Sequence, residues 1–297
     1  MIVLAKNFGQ LGNRLLLSAH LLAAAREYGV SFRNPSFVEY AQYFPSISND
    51  LWCRFPAQDT PTDAASDDLP AWQRKALYQA VRLSTSVLSF LGMTQFPCRV
   101  IRVRGEQICD LQDESFALAA KGPRPILASG WKFRSNTLLE KHADAIRAHF
   151  RIQPKHRQNV DTLIGEMRSA ADTVVGIHIR HGDYATWEGG KYFYSIDQYR
   201  DVMQQVADRL GNQRVTFLVC GNGNLSLDQF RGLNVRFGTG HLIEDMYALA
   251  ETDLLIGPPS TFTQWASFYG QVPLQVLVTA DQEIELDRVA WYPQQAA

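Results

Sequence analysis

The residues with the most chemical promise in this chain are His178, Arg180, His181 and Asp183, in the run VVGIHIRHGDY. The first half of that run is an apolar strand, so a histidine and an arginine at its end need a reason. Side chains alternate along a strand, which puts His178 and Arg180 on one face and Ile177 and Ile179 on the other. Arginine keeps its charge throughout the accessible pH range, and its planar fork matches phosphate oxygens bidentately. A phosphate held by Arg180 is one reading. An internal ion pair between Arg180 and Asp183, pinning the turn, is the other.

Two further stretches carry anion chemistry. In GQLGNR, Gly9 and Gly12 precede a long apolar helix. A glycine turn lets a ligand approach the backbone, and the helix behind it offers unpaired N–H groups and a partial positive charge. The spacing is not that of the dinucleotide fingerprint, and a lone glycine turn before a helix is most often only a connection. In GPPSTFTQW, Pro258 and Pro259 stop a strand and Ser260 or Thr261 is a natural helix cap. An anion at the same helix N-terminus is the functional alternative. Asp245 falls in the first turn of the preceding helix, where the macrodipole favours a carboxylate in any case. The chain holds no Asp-x-Asp, a common metal holder on sugar-nucleotide pyrophosphates. The expected site is metal-free and has no cofactor, with arginine, amides and helix dipoles stabilising the leaving group.

These residues need elements to position them. Ile2–Ala5 reads as a strand, Gly9 and Gly12 as a loop, and Asn13–Tyr28 as a helix closed by Gly29. Phe55–Pro70 reads as an exposed loop and Ala71–Leu91 as a helix. Strands follow near Val100–Val103 and Ile126–Ser129, then an amphipathic helix over Leu138–Phe150. Pro154 to Asn159 is the best linker. Beyond it, strands over Thr173–Ile179, Val215–Cys220, Val235–Phe237, Leu254–Ile256 and Leu274–Val278 alternate with helices. The helices lie over Val160–Ala170, Ile196–Leu210, Glu244–Glu251 and Ser260–Tyr269. Alternation of this kind makes a parallel sheet covered on both faces. The expected architecture is α/β, with two Rossmann-like doubly wound domains, 1–153 and 154–297, facing across a cleft.

Composition narrows the function. At 297 residues and 46% hydrophobic the chain can build two cores. A net charge of −1 argues against a protein that holds a nucleic-acid backbone. The four cysteines show no metal-binding spacing and are expected to be reduced. No signal-like or membrane-spanning segment is evident. A cytoplasmic location is therefore expected, with peripheral association at the inner face of the membrane left open.

HIRHGDY resembles the His-x-Arg-Arg-x-Asp motif of the fucosyltransferases: the α1,2 enzymes of glycosyltransferase family 11, the α1,6 enzymes and the protein O-fucosyltransferases. GQLGNR is similar to their Gly-x-Leu-Gly-Asn-Gln, and DLLIGPPSTFTQWASFYG resembles their late Ser-Thr-Phe-Ser-Trp-Trp segment. The order and spacing of the three fit over nearly the whole chain, and the bacterial α1,2 type is nearest in length and wording. The resemblance implies a GT-B fold, GDP-fucose held mainly by the C-terminal domain, an acceptor-side N-terminal domain, and inverting, metal-independent transfer to a glycan hydroxyl. It implies Arg180 on the β-phosphate and His178 lining the nucleotide pocket. Asp245, eight residues before Asp253, takes the place of the guanine-reading carboxylate. A carboxylate suits guanine, whose Watson–Crick edge offers adjacent donors. Ser260, Thr261 and Phe262 fall against phosphates and nucleoside, and Gly12 and Asn13 over the phosphates or donor sugar. Glu188 matches the spacing of a proposed base, with Asp183 second.

Three departures stand out. His181 replaces the second arginine, which would put a titratable group beside the phosphate. Arg14 replaces the glutamine, and Thr263-Gln264-Trp265 replaces Ser-Trp-Trp. Two alternatives stay open: a transferase for another nucleotide sugar, and a member of the fold that binds nucleotide or glycan without catalysis. Trp131, Phe133, Trp187 and Tyr192 are candidates for an acceptor-stacking platform, though tryptophans near loops are often core anchors.

Overall fold

The computed structural model describes residues 1–6, 8–57, 69–279, 281–286 and 289–294. Most of the loop expected over Phe55–Pro70 lies outside the described residues. The chain divides into two compact units, Met1–Gln153 and Pro154–Ala297.

The first unit contains strands β1 (Ile2–Leu4), β2 (Phe32–Arg33), β3 (Arg54–Phe55), β4 (Arg99–Arg102), β5 (Cys109–Asp110), β6 (Ile126–Ser129) and β7 (Phe133–Arg134). Five of them form a sheet in the order β3-β2-β1-β6-β4. All its neighbours are parallel except β2 and β3, which run antiparallel. The pair β5 and β7 stands apart as a two-stranded sheet. The helix Leu11–Glu27 is apolar and buried from Leu11 to Ala25 apart from Asn13 and Arg14, as expected of a helix enclosed on nearly all sides.

The second unit contains β8 (Thr173–Ile179), β9 (Val215–Gly221), β10 (Val235–Phe237), β11 (Leu254–Gly257) and β12 (Leu274–Val276). All neighbours are parallel, in the order β10-β9-β8-β11-β12. The chain winds outward from β8 to β10, then returns to the other side of β8. The winding direction therefore reverses between β8 and β11, and open α/β sheets receive ligands at such a point, outside the carboxyl ends of the strands. Ile177 and Ile179 point into a core shared with Val175, Phe217, Val219, Tyr199 and Ile256.

Several expected boundaries shift for local reasons. The first helix begins at Leu11, two residues before the expected Asn13, so Gly12 lies in its first turn rather than in the loop. The expected helix over Leu138–Phe150 is two, Asn136–Lys141 and Ala143–His149. It breaks at His142, where His142 and Lys141 both turn to Glu27, at 2.7 and 2.8 Å. The expected linker Pro154–Asn159 is the opening of the helix Pro154–Ala170. Proline suits a first helical position because its missing N–H would be unpaired there. The polar run is that helix's outer face, while His156, Val160, Ile164 and Met167 are buried.

Candidate functional site

The site is built on the carboxyl ends of β8 and β11. His178, the penultimate residue of β8, is 4% exposed. Its ring stacks on Phe262 at 4.8 Å and 15°, and Phe262 belongs to the helix Thr261–Gly270 that follows β11. The stack joins the two sides of the reversal point. Burial, reinforced by the charge of Arg180, pushes the His178 imidazole down to about 3, so it is neutral at physiological pH. Among the described residues its buried Nδ1 has no hydrogen-bond partner, a lack that a bound polar group would remove. Gly257 lies close against the base of the His178 side chain. A Cβ there would lie 3.1 Å from His178 and 3.2 Å from Thr263.

Arg180 is the first residue beyond β8, with its side chain 21% exposed. Its Nη2 donates to both Asp183 carboxylate oxygens, at 2.9 and 3.1 Å, so the ion-pair reading of the sequence is present. Asp183 is itself 62% exposed. An ion pair this wet contributes at most about 1 kcal/mol, so it can yield to a phosphate. The arginine also lies 5.6 Å from the Tyr184 ring.

Ser260 caps the helix after β11, its Oγ accepting from the Phe262 N–H at 3.2 Å. Thr261 follows at the first helical position, and Ser260, Thr261 and Phe262 are all partly exposed. The loop after β8 is tied to this cap by Tyr184, which is buried and donates its hydroxyl to the Pro259 carbonyl at 2.5 Å. That tie joins residues 75 apart in the chain.

Asp245 is 8% exposed in the first turn of the helix Leu242–Leu249. Its Oδ1 accepts from the Gly240 N–H at 3.2 Å and from the Thr239 hydroxyl at 3.5 Å. Burial pushes its carboxyl up to about 6 in spite of these donors. A Cβ on Gly238 would lie 2.3 Å from Asp245 Oδ1 and 2.8 Å from Cys220 Sγ. Cys220 is the register partner of His178 across β8 and β9. Asp245, Cys220, His178 and Phe262 thus form a row across the sheet's carboxyl edge.

Other expected residues are placed differently. The Glu188 side chain is exposed and its backbone is left-handed, at φ 49°. Among the described residues it joins none of the ion pairs. The His181 ring, in place of the motif's second arginine, turns to its own chain. It is held within its own loop, by the Tyr194 carbonyl at 2.8 Å and by stacking on Phe193 at 4.7 Å. Phe133 is fully buried and cannot join an exposed platform. Trp187 instead packs beside Tyr184 and Tyr192, at 4.7 and 5.3 Å.

Gly12 and Asn13 lie in the first unit, beyond the carboxyl end of β1. The Asn13 side chain folds over Gly9, where a Cβ would come within 1.8 Å of it; Gly9 also has φ 57°. Arg14, in place of the motif's glutamine, is taken up by the Ser36 carbonyl at 3.0 Å, Glu39 at 3.3 Å and the face of Tyr40.

His156, His241 and Glu244 bring three metal-ligand-type atoms within 4.8 Å of one another. Glu244 Oε1 is already engaged by His156 Nδ1 at 2.7 Å and Asn159 Nδ2 at 2.8 Å. A 2.7 Å contact is a hydrogen bond, shorter than the spacing of two atoms sharing a zinc ion with bonds of about 2.0–2.2 Å. As it stands the group anchors the helix that carries Asp245.

Comparison with solved structures agrees with this fold. A mutant of FUT1 from Arabidopsis thaliana, in complex with GDP, superposes with a TM-score of 0.61 at 13% identity, over 98% of this chain and 73% of that one. The chain has the fucosyltransferase fold. Fucosyltransferase NodZ from Bradyrhizobium gives a TM-score of 0.52 at 17% identity, over 93% of this chain and 95% of that one. POFUT1 in complex with GDP-fucose gives 0.52 at 12% identity, over 94% and 97%. The two sheets of this protein are those the GT-B form of the fold requires. No protein-family model and no curated protein sequence matches the chain.

Proposed function

We propose that this protein is an inverting, metal-independent glycosyltransferase that moves fucose from GDP-fucose to a glycan hydroxyl, with an α1,2 linkage as the leading expectation. The observation that carries the reading is the row at the carboxyl edge of the second sheet. A buried carboxylate, a neutral buried histidine stacked on Phe262, and a partly exposed arginine meet a capped helix N-terminus at the reversal point. That set suits a purine nucleoside diphosphate. Asp245 accepts from the guanine edge, the His178–Phe262 stack supports the nucleoside, and Arg180 with the Ser260–Thr261 turn receives the phosphates. The nucleotide-bound neighbours, one with GDP and one with GDP-fucose, support the choice of guanine.

In the reaction the acceptor oxygen bonds to the anomeric carbon as the carbon–oxygen bond to GDP breaks on the opposite face. The released electron pair stays on the β-phosphate oxygen, and Arg180 stabilises it on exchanging Asp183 for the phosphate. The acceptor proton passes to a base on the face away from GDP. Asp183 is bound to Arg180 on the leaving-group side, which leaves Glu188 as the better assignment. A GDP-fucose hydrolysis and transfer assay tests the reading. Arg180→Ala is expected to lower turnover about 10²–10³-fold while melting close to wild type. Unchanged turnover would remove Arg180 from the mechanism. GDP binding without any turnover of GDP-fucose would mark the protein as a nucleotide-binding member of the fold.

A further inference from the structure

The helix Ala71–Phe90 has two apolar faces where one is expected. Arg74, Tyr78, Val81, Thr85 and Leu88 recur every three or four residues and face the unit's own core. Arg74, Tyr78 and Thr85 are buried, and Val81 and Leu88 pack on Val3, Val100 and Leu127. Half a turn away, Trp72, Ala76, Ala80, Leu83, Val87 and Phe90 recur with the same spacing, and all six are exposed. At 1.5 Å per residue this outer stripe is about 27 Å long. The solvent face of a surface helix is ordinarily polar. Here Trp72 is 68% exposed and Phe90 89%, and the apolar surface continues past the helix end through Leu91, Met93 and Phe96.

Along the stretch of sequence that carries the stripe, the charged residues have one sign. From Leu69 to Gly105 the sequence has six basic residues and no acidic one. Arg74 is turned inward onto the Leu69 and Ser48 carbonyls. Lys75 and Arg82 lie on the same helix, Arg99, Arg102 and Arg104 follow it in sequence, and Arg124 lies 5.7 Å from the Phe96 ring. Among the described residues, none of these six cations pairs with a carboxylate.

We infer that this face docks on an anionic lipid bilayer, the helix lying in the interface with its outer stripe among the acyl chains and the cations on the headgroups. The pattern of apolar stripe, terminal aromatics and flanking basic residues is that of an interfacial helix. No helix among the described residues is long and apolar enough to cross a membrane, so docking is peripheral. A second copy of the chain is the less suitable occupant. A two-fold interface matches a patch with itself, which would set these unpaired cations against their own copies. The inference does not depend on the identity of the donor sugar.

Co-sedimentation of the full chain with vesicles tests it. Wild type should pellet with mixed phosphatidylcholine and phosphatidylglycerol vesicles, remain in solution with phosphatidylcholine alone, and be released by high salt. The triple variant Leu83→Ser, Val87→Ser, Phe90→Ser changes exposed positions only. It should stay folded by circular dichroism and lose pelleting. The double variant Lys75→Glu, Arg82→Glu should weaken pelleting with the stripe intact. Wild type that ignores anionic vesicles, or a folded triple variant that pellets like wild type, overturns the inference. So does a wild-type dimer in sedimentation equilibrium that the triple variant dissociates while neither form pellets with vesicles.

Discussion

Arg180 and Asp183 hold each other, and the pair is exposed enough to exchange. Asp183→Asn should therefore leave stability within about 0.5 kcal/mol of wild type and leave GDP affinity equal or tighter, because the arginine loses a competitor. Isothermal titration with GDP checks this; a large loss of affinity would mean that Asp183 itself contacts the nucleotide. Asp245 makes the opposite prediction. Asp245→Asn exchanges an acceptor for a mixed group facing two donors and should cost about 1–3 kcal/mol of GDP affinity. Its titration adds a pH signature. Burial raises the carboxyl to about 6, so GDP affinity should be flat above that pH. It should fall about tenfold per pH unit below it, as one proton must leave for guanine to bind. The same steepness in Asp245→Asn would assign the effect elsewhere.

The elements around the site were legible in the sequence to different degrees, for physical reasons. β8, β9 and β11 are continuous apolar runs bounded by turn residues, and Ser195 with Gln198 forms a capping box at the start of the helix between β8 and β9. Strands of two residues, such as Phe32–Arg33 and Arg54–Phe55, are too short to show any alternation. The His178–Phe262 contact spans two motifs whose meeting depends on strand order, which one sequence does not display. The Tyr184–Pro259 bond, linking residues 75 apart, left no local signal. That bond supports a prediction of its own. Tyr184→Phe removes one hydrogen bond between the loops that carry Arg180 and Ser260. It should cost about 1 kcal/mol of stability and lower transfer more than GDP binding, because the loops must be in register only when the sugar moves. Paired measurements of GDP Kd and turnover separate the two effects. Equal losses in both would make the tyrosine a simple support. Gly238→Ala should be far more damaging to GDP binding, since the new methyl would strike the Asp245 carboxylate.

For the whole molecule, acid stability follows from three buried histidines in the two units. Burial pushes His20 and His178 down to about 3 and His149 to about 4. Each is neutral when folded and takes up a proton near pH 6.5 when unfolded. Stability from these groups is therefore complete above about pH 6.5 and is lost as pH falls toward 4. Asp245, raised to about 6, works in the other direction over part of that range, but three groups outweigh one. Urea midpoints should fall steadily from pH 7 to pH 5 in wild type; a midpoint that holds or rises would contradict the neutral-histidine account. Site and fold meet in the claim that the second unit receives a guanine nucleotide at its strand-order reversal. The most direct measurement is the melting temperature of the wild-type protein against a panel of GDP, UDP and ADP. The account predicts a rise with GDP alone, growing with the logarithm of its concentration and approaching about 2.7 kcal/mol of stabilisation at a hundredfold excess over Kd. A melting temperature unmoved by GDP but raised by UDP would contradict it.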